Sequence, residues 1–404
     1  MQSRLTITLY KDEVKRWLLL VFLAFPHAKP GYLSELPLID RVFDGWRIVS
    51  FLIILTMVFV SRRVSWSAML ITVMELFLVA NTFVKGGVVQ RSIVSAASVI
   101  AVVLLYDLFA GDIDYKKVFY SSQLWCFELL IYINLITEII WPSGMYSANS
   151  GHFLMRKCYF LGYYNNHTMW FVPALLFAWL YASETRKYFR AVVLTAAIVA
   201  SALITWSGGV LASLGAMIIV FVLTKRRSWR IFNYYFYWLI HILFFVWVIL
   251  LNTNNIISRL VESLFHKGHS FDLRISLWAK YVMLIGNHWF TGYGIWDQMY
   301  REDQVGFYWG MHAHNMILEI LYQGGIVYLV MFVALVLMSG KMLMIESQES
   351  RIISIAFLGW IVATLVEPFA GGFLMGMFII AYYSNTNTEF VEASSGLETY
   401  IMRN

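Results

Sequence analysis

Five of the nine histidines fall between residues 266 and 314: His266, His269, His288, His312 and His314. Arg259, Arg274, Arg301, Asp272, Asp297, Glu302 and Asp303 share the stretch around them. The sharpest pattern is His312-Ala313-His314-Asn315, which opens into the apolar run from Met316 to Met338. An imidazole at the mouth of such a run is suited to take a proton from a hydroxyl near neutral pH. Asn315 can cap the helix that follows or contact substrate. Glu319, one turn further on, can orient the imidazole or bind hydroxyl groups. His314 also has plainer readings, as an interfacial side chain or a metal ligand. His-x-His supplies two ligands, and spacing places no third, so no metal is expected.

Arg274 is the second group with chemistry. It sits in FDLRISLWAKYVMLIG (271–286), where Leu273, Leu277, Tyr281 and Leu284 recur on one side. That spacing predicts an amphipathic helix on a membrane surface. A guanidinium there can grip a diphosphate bidentately, or snorkel to lipid phosphate. Arg156, Arg259, Asn166 and His312 are further candidates for phosphate or sugar contact. For Asn166, in the Gly162–His167 stretch, a capped helix entrance is the other reading. Glu75, Glu128 and Glu138 lie in apolar runs, where acids are functional by default. Glu367-Pro368 falls at a turn that can face the same cavity as His314.

What must position these residues is a membrane bundle. Of 404 residues, 60% are apolar and 13% charged, against roughly 25% charged in soluble chains. The apolar residues come in blocks, which favours spanning helices over alternating barrel strands. About twelve candidate spans emerge, near 14–25, 46–61, 64–84, 88–110, 117–141, 166–183, 189–205, 207–223, 231–251, 316–339, 351–366 and 368–384. The stretch 189–223 is too long for one span, and Trp206-Ser207-Gly208-Gly209 is its natural break. The first apolar run ends at Pro26 without a cleavage pattern, so it reads as an uncleaved first span. The fold class expected is an all-α polytopic membrane protein with a large structured extra-cytoplasmic loop.

Charge sets the orientation. Arg62-Arg63, Lys116-Lys117, Arg186-Lys187, Lys225-Arg226-Arg227 and Lys341 fall in alternate short loops. By the positive-inside rule these are cytoplasmic, with both termini. Loops 26–45, 142–165 and 252–315 then face outward. The net charge of +6 is a topology signal of this kind and not a nucleic-acid footprint. The many Trp and Tyr read as interface anchors, and two isolated cysteines, Cys126 and Cys158, give neither a metal spacing nor a redox pair. The chain divides into N-terminal helices (1–160), a core (161–340) containing loop 252–315, and C-terminal helices with a tail (341–404).

Arg274 followed by Trp278, then Gly292-Tyr293-Gly294, then His314-Asn315 with Leu318-Glu319 and Gly324-Gly325-Ile326, resembles the O-antigen ligase/polymerase superfamily over about 160–335. The resemblance implies a GT-C-type membrane glycosyltransferase in the bacterial inner (plasma) membrane. It implies inverting, metal-independent transfer, without cofactor, from an undecaprenyl-diphosphate-linked glycan. His314 would be the base and Arg274 the diphosphate ligand, with Asn315, Glu319, His312, Arg156, Asn166 and Arg259 binding substrate. Relatives often carry Ser-Arg-Gly between two mid-chain spans. Here Ser207-Gly208-Gly209 lacks the arginine, so Arg156 or Arg259 would have to replace it. The leading expectation is polymerisation of lipid-linked repeat units into O-antigen, capsular or exopolysaccharide. The alternative is an O-antigen ligase acting on lipid A-core. A flippase or transporter is the reading of another class, and no matched repeat of broken helices supports it. Membrane lipids are the expected surroundings, and a chain-length regulator is implied by analogy alone.

Overall fold

The computed structural model describes residues 2–112, 115–150, 154–224, 232–251, 263, 268–307, 310–368 and 370–384. Arg259 and the basic stretch 225–230 lie outside them. Fourteen helices form among the described residues. They are α1 (Gln2–Ala24), α2 (Pro37–Ser61), α3 (Trp66–Val84), α4 (Val89–Ala110), α5 (Lys116–Ile140), α6 (Thr168–Thr185), α7 (Phe189–Thr205) and α8 (Gly208–Leu223). Then come α9 (Tyr234–Phe244, continued by a π turn to Leu250), α10 (Gly268–Asn287), α11 (Gln298–Val305), α12 (Met316–Leu343), α13 (Gln348–Thr364) and α14 (Gly372–Tyr383).

Each apolar segment of the sequence holds a helix. Five of these, α2, α3, α4, α5 and α12, are long and apolar enough to cross a membrane. Their apolar residues also point outward in number: Leu52, Phe59, Leu76, Ile139 and Val330 are exposed. In a bilayer such surface faces lipid. Inside the bundle, α14 packs on α4 and α12, α13 on α8 and α6, and α3 on α4 and α12. The expected break between α7 and α8 occurs at Trp206, which adopts a left-handed φ of 48°.

The termini of the early elements differ from the reading of the sequence. α1 starts at Gln2 and α2 at Pro37, so the first loop shrinks to 25–36 and folds as two short 3₁₀ turns. The polar residues that masked the start of α2 are partnered: Asp40 and Asp44 pair with Lys29. The second loop departs from the all-α expectation. It forms an antiparallel sheet of β1 (Tyr146–Ser150), β2 (Leu154–Tyr159) and β3 (Gly162–Tyr163), in the order β1-β2-β3. Tyr146 pairs with Cys158, and Cys158 with Tyr163. Neither YSANS nor LMRKCY alternates cleanly, so periodicity did not reveal them.

The long loop is a packed layer. The apolar face of α10 does not lie on lipid. Leu277, Trp278, Tyr281 and Ile285 are buried with Phe245, Val248, Ile249, Leu318 and Tyr322. A helix that carries two aromatic rings on its buried face is held by protein contacts of about 1.5–3 kcal/mol per side chain.

The Gly324-Gly325 pair admits a turn of backbone beside the neighbouring helix α3, whose Phe77 would stand 3.4 Å from a β-carbon on Gly324. Gly325 has φ 60° and ψ −159°, which breaks α12. Into the break docks the turn 289–294. Tyr293 N donates to Tyr322 O (2.7 Å), Gly294 N to Gln323 O (2.9 Å) and Ile326 N to Trp289 O (2.9 Å). Asn81 of α3 closes the junction, its Nδ2 donating to Thr291 O and Gln323 O. A β-carbon on Gly325 would stand 2.3 Å from Phe290 O. We therefore expect Gly325→Ala to destabilise the protein by ~2–4 kcal/mol through strain and overlap. Gly215→Ala on α8, where nothing lies within 4 Å, should be neutral or slightly stabilising. Thermal unfolding of the detergent-solubilised protein reads both, and equal melting of the two variants would contradict the account.

Candidate functional site

Three separate stretches meet at one end of the bundle. α10 carries Arg274, and its next turn is anchored by Trp278, 1% exposed and edge-on to Phe244. The segment before α12 carries His312 and His314. The turn between α13 and α14 carries Glu367. Arg274 Nη2 donates to Glu367 Oε1 at 2.6 Å. His314 Nδ1 lies 2.9 Å from Glu367 Oε2, and His312 Nε2 lies 3.8 Å from the same oxygen. The two imidazoles are 4.0 Å apart between centroids. Thus the carboxylate bridges a guanidinium and an imidazole pair.

The electrostatics follow. Burial alone would raise the Glu367 carboxyl, but His314 and Arg274 beside it outweigh that and hold it well below the usual carboxylate range. His312 is pushed down to about 3, chiefly by burial and then by His314. It is therefore held neutral.

His314 is held from both sides. Its φ of 48° is left-handed, a conformation that costs a non-glycine residue energy and needs surrounding support. On one side, Ala313 N donates to Glu319 Oε2 (2.8 Å). On the other, Asn315 Oδ1 caps α12 through Ile317 N and Leu318 N, while Nδ2 donates to Leu365 O (3.1 Å). Asn315 is thus fully engaged in tying the start of α12 to the end of α13, next to Glu367.

Glu319 does not touch the His314 imidazole. It takes both arms of Arg301, Nη1 to Oε1 at 2.7 Å and Nη2 to Oε2 at 2.8 Å. Gln323 donates to it as well. Arg301 comes from α11, gives a further bond to Tyr281 OH (2.9 Å) and lies over the Tyr322 ring. Its pKa is raised, because the Glu319 charge outweighs burial. The role of Arg301 was missed. Its run of charged neighbours, Arg301-Glu302-Asp303, resembles a solvated face, and nothing local marks one of them as buried.

The remaining candidates are placed as follows. Asn166 is exposed on the turn before α6. Its neighbour Asn165 accepts from Ser207 Oγ (2.9 Å), at the start of α8. A β-carbon on Gly209 would stand 4.0 Å from Val366, so the Ser207-Gly208-Gly209 step borders the residue beside Glu367. Arg156 lies on β2, with its side chain outside the described part, and Arg259 lies outside it altogether.

The cluster also supplies what spacing could not. His312, His314 and Glu367 bring three ligand atoms within 4.8 Å of one another, a donor set that suits zinc. Against a resident ion stands the Arg274 guanidinium on the other oxygen of the same carboxylate.

Residues 191–333 match the family model described as O-antigen ligase. Over that part the chain is similar to the O-antigen ligase/polymerase superfamily. No curated protein and no solved structure matches it. The match runs from α7 into α12. It takes in Arg274, Arg301, His312 and His314 and ends before Glu367. Together with the apolar helices, this similarity supports a multi-pass membrane protein.

Removing one partner of a buried ion pair leaves the other uncompensated, at about 3–5 kcal/mol. Glu319→Leu should therefore lower the melting temperature sharply, while Arg301→Met with Glu319→Leu recovers most of the loss. If the double variant melts no higher than the single one, the pair is not what holds this region.

Proposed function

We propose that this protein polymerises undecaprenyl-diphosphate-linked oligosaccharide repeat units on the outer face of the bacterial inner membrane. It carries out an inverting, metal-independent transfer. The observation that carries the reading is the Glu367 bridge, one carboxylate that accepts from Arg274 and stands 2.9 Å from His314 Nδ1. Glu367 fixes Nδ1 of His314, which leaves Nε2 to meet an acceptor hydroxyl, by the same logic as a carboxylate–histidine dyad. The acceptor oxygen bonds to the donor's anomeric carbon as that carbon's bond to the diphosphate oxygen breaks. The hydroxyl proton passes to His314, and undecaprenyl diphosphate departs with the electron pair.

Stabilising that departing charge is the larger requirement. Arg274 meets it. A guanidinium has five N–H donors, and Glu367 engages one nitrogen of it. In this reading the chain crosses the membrane twelve times with both termini cytoplasmic, the lipid tail lies among the helices, and Arg156, Asn166 and Arg259 are assigned to substrate binding.

A second reading has one specific support: the matched family model carries the description O-antigen ligase. A ligase uses the same donor and passes the glycan to lipid A-core. Purified protein in proteoliposomes, given lipid-linked repeat units alone, separates the two. Polymerase activity yields a ladder of repeats, and a requirement for lipid A-core yields none.

With the ladder as readout, His314→Ala should reduce turnover by about 10²–10⁴-fold and Arg274→Ala by about 10²–10³-fold, at normal protein levels. Glu367→Gln should lower it at least ~10-fold. Undiminished ladders from the first two variants would remove both assigned roles. Excess EDTA should leave the rate unchanged, and loss that Zn²⁺ restores would replace the metal-independent mechanism with one through His312, His314 and Glu367.

A further inference from the structure

We propose that the cavity beside His312 is the acceptor subsite, that it takes an uncharged pyranose, and that Glu75 selects it by binding a ring hydroxyl at the floor. The proposal rests on the transfer reading above and names the substrate class of its second half.

The cavity has a volume of about 360 Å³, within the roughly 300–1,000 Å³ of small-ligand sites. It lies between α3, α4 and α12. His312 is in its wall, whereas Arg274, His314 and Glu367 are not. His312 borders the cavity, and His314, the base of the transfer, lies next to it, 4.0 Å between ring centroids. A displacement that runs in line needs leaving group and nucleophile on opposite sides of the reacting carbon. With diphosphate held at Arg274, the nucleophile belongs on the cavity side.

The lining suits a sugar. At the mouth stand Trp296 and Gln298. The Trp296 ring is stacked on Tyr300, 3.7 Å between centroids, which fixes a flat apolar face for a pyranose. The amide nitrogens of Gln298 and Gln323 are committed to Glu302 and Glu319, which turns their amide oxygens into acceptors for hydroxyls. His312 Nδ1 is buried with no hydrogen-bond partner among the described residues.

Charge narrows the class. Arg301 and Glu319 neutralise each other in the wall. Arg91 at the mouth and Glu75 at the floor are then the remaining opposite charges. No net positive field awaits a uronic acid. Glu75 is 7% exposed in the middle of α3, about 13 Å of helix below Val84. Among the described residues, Tyr328 on the opposite wall is its side-chain partner. A carboxyl at that depth is costly, and its second oxygen is the group able to read a hydroxyl.

The test uses the full chain in proteoliposomes. The donor is the host's lipid-linked repeat unit, and the acceptor is the repeat unit released from its lipid, which has no diphosphate leaving group and so cannot donate, titrated separately. Glu75→Gln should raise the acceptor KM about ten-fold, the loss of one hydrogen bond to a charged group, with donor KM and kcat within about two-fold. Ser95→Trp, which fills the mouth from the exposed side of α4, should raise the acceptor KM further and guards against misfolding at Glu75. In a separate arm, saccharide released from the lipid by mild acid should quench tryptophan fluorescence saturably. Its affinity should fall about ten-fold in Glu75→Gln, and also when its primary hydroxyls are oxidised to carboxylates. An unchanged acceptor KM in both variants, a shift in donor KM instead, or tighter binding of the oxidised saccharide overturns the subsite. If wild-type protein transfers nothing yet binds saccharide through Glu75, the transfer reading fails and the cavity stands. If transfer proceeds with unmoved acceptor KM, the cavity fails and the transfer reading stands.

Discussion

A carboxylate cannot remain charged in a poorly solvated place without partners, and Glu367 has two from different parts of the chain. Arg274 reaches it from α10, and His314 from the entrance to α12. Every other feature of this end of the bundle can be understood as bringing those three stretches to one point. Trp278 and Tyr281 seat α10 on α12. Asn315 ties α12 to the end of α13 through Leu365. Glu319 fixes Ala313, so the strained backbone at His314 is gripped at both neighbours. Remove the carboxylate and a guanidinium and an imidazole are left facing each other, without the charge that draws them together.

The break in α12 does a second job that a straight helix could not. A continuous helix satisfies its own backbone and has no donors or acceptors to offer. At Gly325 the ladder is interrupted, and the turn 289–294 fills the vacated bonds. The long loop is therefore docked by backbone hydrogen bonds, which depend on no side chain, while Asn81 holds α3 to the same junction. This is why α3, with Glu75, stands across a cavity from α12 at a fixed distance.

Much of this was legible. Apolar runs gave the helices, and Trp206-Ser207-Gly208-Gly209 gave the break between α7 and α8, since length and turn chemistry are local properties. His314, Asn315 and Arg274 stood out because their types are unusual at the mouth of a span or on an amphipathic face. What was not legible is partner choice across distance. Nothing near Glu367 says that it meets His314, and nothing near Glu319 says that Arg301 will take it and leave the imidazole to another acid. The two-glycine step promised close approach, but that a turn enters beside the helix depends on the tertiary fold. The face of α10 was read correctly as apolar. Which surface covers it, lipid or protein, periodicity cannot say. The sheet at 146–163 failed for the opposite reason: its strands carry too little alternation to register at all.

The two ion pairs at this end make different use of buried charge. Arg301 and Glu319 satisfy each other almost completely, bidentate and ringed by Tyr281, Tyr322 and Gln323. Such a pair contributes little net stability over an apolar replacement, but it permits only one arrangement of α11 against α12. Arg274 and Glu367 are less closed. Arg274 keeps 22% of its side chain exposed, and its partner carboxylate is shared with an imidazole. A guanidinium so placed is already desolvated on one side and still open on the other. It can accept an anion without first dismantling its support, which is what a site handling a departing diphosphate requires. The closed pair gives rigidity and the open pair gives reactivity, and His312 and His314 sit between them.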